Sequence, residues 1–297
     1  MKNSEENIRN CYSTWGETYY NDYYSDNSAY PPVHLDLILK KLTGQKGGNL
    51  LDIGCGPASM LRHFKDLEFQ LFGFDLTPEM VAECKKVMSG LDPSNFWVGS
   101  VLNKSDFFRS PNSPEKYDAS TCIGVLPHIP EEFDSMVIRN IKDSLNPGGL
   151  AIIEARNELF ALFTMNRYSG DFFESKLLPK SHIKAELGDE KFTEICSKIN
   201  KQFRMDLPKI RKGKANEPGY DEILSRTHNP FELKEYFVKA GFREVKTLFY
   251  HFHAAPPMLK ETLGEKYNKI SMALEKNPED WRGYFMASAF LTIGIAA

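Results

Sequence analysis

An α/β fold with a mostly parallel sheet and helices on both faces is predicted by three features of the sequence. The apolar run Asn49-Leu-Leu-Asp52-Ile53 breaks at Gly54-Cys55-Gly56 and continues as a helix-like segment to Asp66. Strand and helix patterns then alternate through residue 155, as βαβ units do. After an interruption the alternation resumes at Asn229-Pro230 and stops at Gly241. Those residues serve as N-cap, first-turn proline and helix-ending glycine.

Taken in order, residues 4–25 read as helix or loop, and Pro31-Pro32 opens a helix from Val33 to Leu42. Strands are expected at 49–53, 69–75, 95–98, 117–123 and 149–155, with helices at 58–66, 78–88 and 131–144. Parallel strands joined by right-handed crossovers bind ligands at their carboxyl ends. Gly54, Asp75, Ile123 and Glu154 fall there. From Asn157 to Asn229 the pattern is mixed helix and loop, with an aromatic cluster at Tyr168, Phe172 and Phe173. A strand at 243–250, a helical stretch near 257–275 and a strand at 284–295 complete the chain.

The glycine-broken run carries the chemistry. Glycines permit a sharp strand-to-helix turn and let a ligand approach the backbone, while the following helix offers unpaired N–H groups. Asp52 is the odd member, because a carboxylate at the end of a buried strand is costly unless a cation or donor meets it. A ligand bearing an ammonium group would do so.

Asp52-Ile-Gly54-Cys55-Gly56 resembles the first motif of class I S-adenosylmethionine-dependent methyltransferases, of the small-molecule type. Phe72-Gly-Phe-Asp75-Leu-Thr-Pro resembles their second strand, and Asp75 lies 21 residues beyond Gly54, near the spacing expected of a ribose-binding acid. Tyr117 to His128 resembles the fourth strand and its loop, and Leu145-Asn-Pro-Gly-Gly-Leu-Ala-Ile-Ile-Glu154 the fifth. The four motifs keep family order and spacing over roughly residues 45–155. The resemblance implies a Rossmann-like sheet with an antiparallel last strand, and S-adenosyl-L-methionine as cofactor. Asp52, Gly54, Cys55 and Gly56 would then face its methionine part, Asp75 its ribose and Leu76 its adenine. Where many relatives carry an adenine-binding acid after the third strand, Gly99-Ser100-Val101 stands here, so Ser100 or Asn103 is the substitute. Val101 and Ile123 complete the donor set.

A dinucleotide enzyme is the competing reading. Its fingerprint asks for a third glycine where Ser59 stands, and a pyrophosphate would be repelled by Asp52. The methyltransferase pattern itself often has a glycine where Ala58 stands; alanine is small enough to leave the turn possible.

The aromatic segment from Tyr12 to Tyr24 resembles the lid that small-molecule methyltransferases fold over the donor, with Tyr12, Trp15 and Tyr19 as contacts; packing of an N-terminal helix on the sheet is the alternative. The expected organisation is an N-terminal helical lid (1–45), a donor-binding domain (46–156 with 229–297) and an inserted substrate cap (157–228).

Acceptor-side candidates are His128, whose pKa suits a general base, and His251 with His253, which period-two alternation puts on one strand face. Asn157, Arg167, Tyr168 and His228 bracket the insertion as substrate contacts. Two histidines without a third ligand make no metal site, so none is assigned. Enclosure by lid and cap points to methylation of oxygen or nitrogen on a small molecule. A protein or RNA methyltransferase and an inactive donor-binding scaffold are the alternatives.

At 297 residues, 41% hydrophobic and a net charge of −3, the chain holds a large core and lacks the basic balance usual in nucleic-acid binders. Its basic concentration, Lys198, Lys201, Arg204, Lys209, Arg211, Lys212 and Lys214, would suit an anionic acceptor or a solvated face. Cys11, Cys55, Cys84, Cys122 and Cys196 show no paired spacing. With no apolar leader and no bilayer-length run, a cytoplasmic protein is expected; oligomeric state is left open.

Overall fold

The computed structural model describes residues 2–15, 19–24, 32–206 and 223–297. Helices α1 (Lys2–Tyr12), α2 (Tyr19–Tyr23) and α3 (Val33–Thr43) precede β1 (Gly48–Ile53), β2 (Phe69–Asp75), α4 (Pro78–Val87) and β3 (Phe96–Val98). Then come β4 (Tyr117–Cys122), α5 (Asp134–Ser144) and β5 (Leu145–Arg156). Four helices follow: α6 (Ala161–Thr164), α7 (Arg167–Phe172), α8 (Lys180–Leu187) and α9 (Asp189–Asn200). The chain closes with α10 (Pro230–Ala240), β6 (Phe242–Phe252), α11 (Lys260–Leu263), α12 (Lys266–Leu274), α13 (Gly283–Met286) and β7 (Ala287–Ala296).

The seven strands form a mostly parallel sheet in the order β3-β2-β1-β4-β5-β7-β6, with one antiparallel strand. Strand β1 pairs in parallel with β2 and β4, so Leu50 faces Leu71 on one side and Ala119 on the other. A central strand covered on both faces reads as a continuous apolar run. Leu50, Leu51 and Ile53 are accordingly inaccessible to solvent, and Phe64, Phe72, Phe74 and Ile138 share that core.

By contact the chain divides into two compact units. The first comprises Met1–Arg156, Ile210–Leu248 and Phe290–Ala297; the second comprises Asn157–Lys209 and Phe249–Ala289. In the second, helices α6 to α9 pack through Phe172, Phe192 and Cys196, and the buried Asn166 caps α7 by accepting from Tyr168 N.

Several local expectations are revised. Residues 58–66 form turns and a single 3-10 turn, Leu61–His63, in place of a helix. Ala58 enters with a left-handed φ of 61°, and its carbonyl accepts from both the amide and Nε of Arg62. The helix expected from 131 begins as a 3-10 turn, Glu131–Phe133, before α5. Strand β5 starts earlier than expected, because Leu145 already pairs with Tyr117 ahead of a register shift. The expected last strand is helical up to Met286. Strand β7 lies inside the sheet between β5 and β6, which explains its nearly unbroken burial.

Ala58 is buried in a backbone conformation that disfavours a Cβ. Replacing it with glycine is expected to stabilise the protein by about 1 kcal/mol, after the extra chain entropy of glycine is offset. Urea unfolding of Ala58→Gly checks this; a lower midpoint would contradict the strain argument.

Candidate functional site

A cavity whose empty volume, open solvent included, is about 1090 Å³ lies at the carboxyl ends of β1, β2, β3 and β4. Its floor is the turn after β1. Gly54 has a φ of 71°, and a Cβ there would sit 2.2 Å from Val125 Cγ2. Gly56 has a φ of 51°, and a Cβ there would meet nothing within 4 Å. The first glycine is required by packing, whereas the second leaves space on the cavity side. The amides of Gly54 and Cys55 both donate to the Phe74 carbonyl, at 2.8 and 3.0 Å, which ties the turn to β2. The thiol of Cys55 lies 4.0 Å from that of Cys84, so Cys55 meets the cavity through its backbone.

Asp52 lines this space yet is only 2% exposed. Its Oδ1 accepts from Thr121 Oγ1 at 2.7 Å. Burial raises its pKa to about 7, opposed by the Thr121 hydrogen bond and reinforced by Asp75. Asp75 ends β2, with Oδ2 accepting from Gly56 N at 3.0 Å and Oδ1 from Thr77 N at 2.8 Å. Burial raises this carboxyl too, against the backbone bonds that favour its charged form. The bond to Thr77 N also secures the start of α4, where the Thr77 side chain makes no cap. Each Asp75 oxygen has a second lone pair with which to accept from a ligand hydroxyl.

The N-terminal helices form the rest of the wall. Glu5, Ile8, Tyr12, Tyr19 and Tyr24 line the cavity. Trp15 does not; it is buried edge-on to Tyr12, with ring centroids 5.5 Å apart. The Tyr20 ring carries Arg62 Cζ 3.5 Å from its centroid, which docks α2 on the turn after β1. Burial, then Tyr19, Glu154 and Asp52, push the Tyr24 phenol well above its ordinary pKa.

His128 also lines the cavity and is 6% exposed. Its Nδ1 lies 2.7 Å from the Leu224 carbonyl, and its Nε2 lies 2.8 Å from Tyr12 Oη. A carbonyl only accepts, so Nδ1 carries the proton and Nε2 accepts from the Tyr12 hydroxyl. Burial lowers the pKa of His128 to about 4; Arg156 works the same way, while the Leu224 carbonyl and Glu154 oppose it. Leu224 belongs to a strap that holds the loop after β4. Arg226 N donates to the Pro127 carbonyl at 2.9 Å, its Nε donates to the Ile129 carbonyl, and its Nη2 pairs with Asp134.

Tyr12, Tyr19, Asp52, Gly54, Cys55, Gly56, Asp75, Leu76, Ser100, Val101 and Ile123 therefore line one cavity, whereas Trp15 and Asn103, the alternative to Ser100, do not. The acceptor-side candidates are placed differently. His228 is buried in the first unit with Nε2 3.6 Å from Asp134, and neither ring nitrogen has a hydrogen bond among the described residues. Asn157 is in the second unit, where its amide donates to the carbonyls of Gly283, Tyr284 and Ala287. Arg167 stacks 5.0 Å from the centroid of the exposed Tyr168 ring. His253 Nδ1 lies 2.9 Å from Tyr267 Oη, and the Phe160 ring centroid lies 4.6 Å from its own. Burial, followed by His251 and Lys260, lowers its pKa to about 4. A left-handed backbone at His251 (φ 62°) interrupts the alternation on which the paired-histidine expectation rested. No metal-binding cluster of His, Cys, Asp and Glu occurs among the described residues.

Glu5 and Met80 line the cavity without having been singled out in the sequence. Glu5 reaches it only because α1 folds against the end of β3, 95 positions away. No local pattern marks such a contact.

The Asp52 result has a consequence for stability. Unfolded, this carboxyl releases its proton near pH 3.8; folded, it holds it to about pH 7. The folded state binds more protons across that window, so this group lowers stability as pH rises through it. Asp52→Asn keeps an acceptor for Thr121 and removes the effect. Its gain over wild type is expected to be absent at pH 4 and on the order of 2 kcal/mol above pH 7. Denaturant titrations across that range test it; a pH-independent difference would refute the burial argument.

The described cavity fits a nucleoside with an amino-acid tail. It offers a buried acid at β1, an acid at the end of β2 and an open glycine between them. A methyltransferase-domain family model matches residues 30–247. The ubiquinone biosynthesis O-methyltransferase of Xanthomonas campestris pv. campestris is 28% identical over 152 residues, covering 51% of this chain and 60% of that protein. Its counterpart in Xanthomonas euvesicatoria pv. vesicatoria is 29% identical over 154 residues, with the same coverage. The chain thus spans well under two thirds of these relatives. Among solved structures, the DhpI complex with S-adenosylhomocysteine aligns with a TM-score of 0.51 at 13% identity, covering 99% of this chain and 97% of that one. Magnesium protoporphyrin IX methyltransferase from Synechocystis PCC 6803, also with S-adenosylhomocysteine, gives 0.50 at 14% identity and 98% coverage of both. Those two structures share the fold. With the methyltransferase-domain model covering most of the chain, the protein belongs to the class I S-adenosylmethionine-dependent methyltransferases.

Proposed function

We propose that the enzyme transfers the methyl group to oxygen or nitrogen of a small molecule. The observation that carries this reading is the wall formed by α1, α2 and Tyr24 along the donor cavity, which favours a small acceptor over an extended polymer. The O-methyltransferase names of the curated relatives support the same class.

When bound, S-adenosylmethionine supplies an electrophilic methyl group on a sulfonium sulfur. Asp52 would receive the ammonium group of its methionine part, and Asp75 would accept from its ribose hydroxyls. Cation binding favours ionised Asp52, so near pH 7 donor binding would release a proton from it. Tyr12 is the hydroxyl we assign to the acceptor's proton, which it takes up as it passes its own to His128 Nε2. His128 remains neutral at physiological pH because burial lowers its pKa to about 4. The strap at Leu224 fixes its tautomer. We further propose that Leu224 to Arg226, which hold the loop bearing His128, help to shape the acceptor side of the cavity.

Two alternatives draw less support. A polymer substrate would use the basic run, but Lys198 already pairs with Glu194 and Arg204 with Asp206. Lys209, Arg211, Lys212 and Lys214 lie outside the described residues. The same pairs weaken the argument for an anionic acceptor. All five cysteines are unbridged, which favours a reducing, cytoplasmic setting. No described helix is long and apolar enough to cross a membrane.

Calorimetric titration with S-adenosylmethionine and S-adenosylhomocysteine should give micromolar binding, weakened at least about tenfold in Asp75→Ala. Absence of binding in wild type would overturn the assignment. With an acceptor identified by screening, Tyr12→Phe should lower kcat by about 100-fold while donor affinity stays within about threefold. Equal losses in donor affinity and kcat would instead make Tyr12 a binding residue, and donor binding without turnover of any acceptor would favour the inactive scaffold.

A further inference from the structure

We infer that Glu5, on α1, is the acid that reads the donor's nucleobase, so that recognition of the base and closure of the N-terminal helix are one event. The inference rests on the donor assignment above. The strand order supplies the direction of the ligand. Asp52 on β1 and Asp75 on β2 take the ammonium and ribose ends, and β3 is the next strand outward. The nucleobase therefore falls against Gly99, Ser100, Val101 and Leu102, which line that end of the cavity with Met80.

No carboxylate follows β3 directly, and Asp106 cannot take the role. Its Oδ2 accepts from Ser100 N at 2.9 Å, its other oxygen faces Arg109 at 3.7 Å, and it does not line the cavity. Ser100 Oγ donates instead to Glu5 Oε1 at 2.6 Å, while accepting from Leu102 N at 3.1 Å. Both sides of Ser100 are thereby engaged, so the serine orients Glu5. Glu5 lines the cavity, and its Oε2 has no protein partner among the described residues. A carboxylate oxygen beside a purine accepts from an exocyclic amino group and disfavours a carbonyl at the same position. An acid in the first turn of α1 also suits the helix dipole, but that effect requires neither the bond to Ser100 nor a place in the cavity wall.

The test compares S-adenosylhomocysteine with S-inosylhomocysteine, in which a carbonyl replaces the amino group, by calorimetry on the full chain. Wild type should prefer the adenosyl compound by about tenfold or more, the value of one charge-assisted hydrogen bond. In Glu5→Gln the preference should shrink to within about threefold, through weaker binding of the adenosyl compound. Ser100→Ala, which leaves the carboxylate in place, should keep the preference. A second readout is tryptic cleavage after the exposed Arg9 of α1, which S-adenosylhomocysteine should slow in wild type and much less in Glu5→Gln. If Glu5→Gln keeps the full preference, or loses affinity equally for both compounds, the assignment to Glu5 is overturned while the donor site stands. If Ser100→Ala alone removes the preference, Ser100 is the reader. If wild type binds neither compound, the donor assignment fails and this inference fails with it.

Discussion

The buried carboxyl of Asp52 is the constraint around which the first unit is arranged. It sits in an interior strand with Thr121 donating to it, in an environment that disfavours its charge. An apolar residue there would serve the core better, since an isolated buried charge is expensive unless partnered. The cost becomes intelligible once a cationic ligand is placed against it. The turn that follows must then bring backbone, rather than side chains, to the same point. Gly54 is required because Val125 occupies its Cβ position, whereas Gly56 keeps a space open. Asp75, bonded to Gly56 N and Thr77 N, joins that turn to the start of α4, so two strand ends and one helix start are tied together.

The second level of organisation is the covering of this cradle. Tyr12 bonds His128, Tyr20 receives Arg62 and Glu5 receives Ser100. These contacts come from three places in the N-terminal helices and land after β4, β1 and β3 respectively. His128 is central to this arrangement: its tautomer is set by Leu224 on one side, which leaves Nε2 to accept from Tyr12 on the other. A histidine expected from sequence to act as a base is thus hydrogen-bonded to the Tyr12 hydroxyl.

Much of this was legible in the sequence where chemistry is local. Glycine spacing, the acid ending each of two strands and the Leu145-to-Gly149 turn are short patterns whose physics operates over a few residues. The expected helix at 58–66 misled because its apolar spacing is helical, whereas the left-handed Ala58 and the Arg62 bonds to the Ala58 and Pro57 carbonyls turn the chain. Trp15 misled because an aromatic segment does not reveal which ring faces a ligand and which supports its neighbour. Asn157 resembled a polar group at a strand end, yet its amide is held by three carbonyls near α13.

The sequence by itself determined the fold class and the donor, because a strand-to-turn transition writes its requirements into adjacent positions. Only the tertiary structure decided which side chains from distant segments complete the site. Glu5 meets Ser100, Tyr12 meets His128 and Leu224 sets the imidazole tautomer across separations of 95, 116 and 96 residues. Such pairings depend on how helices and loops dock onto a finished sheet. Docking is governed by summed packing over many residues, and no short stretch of sequence encodes it.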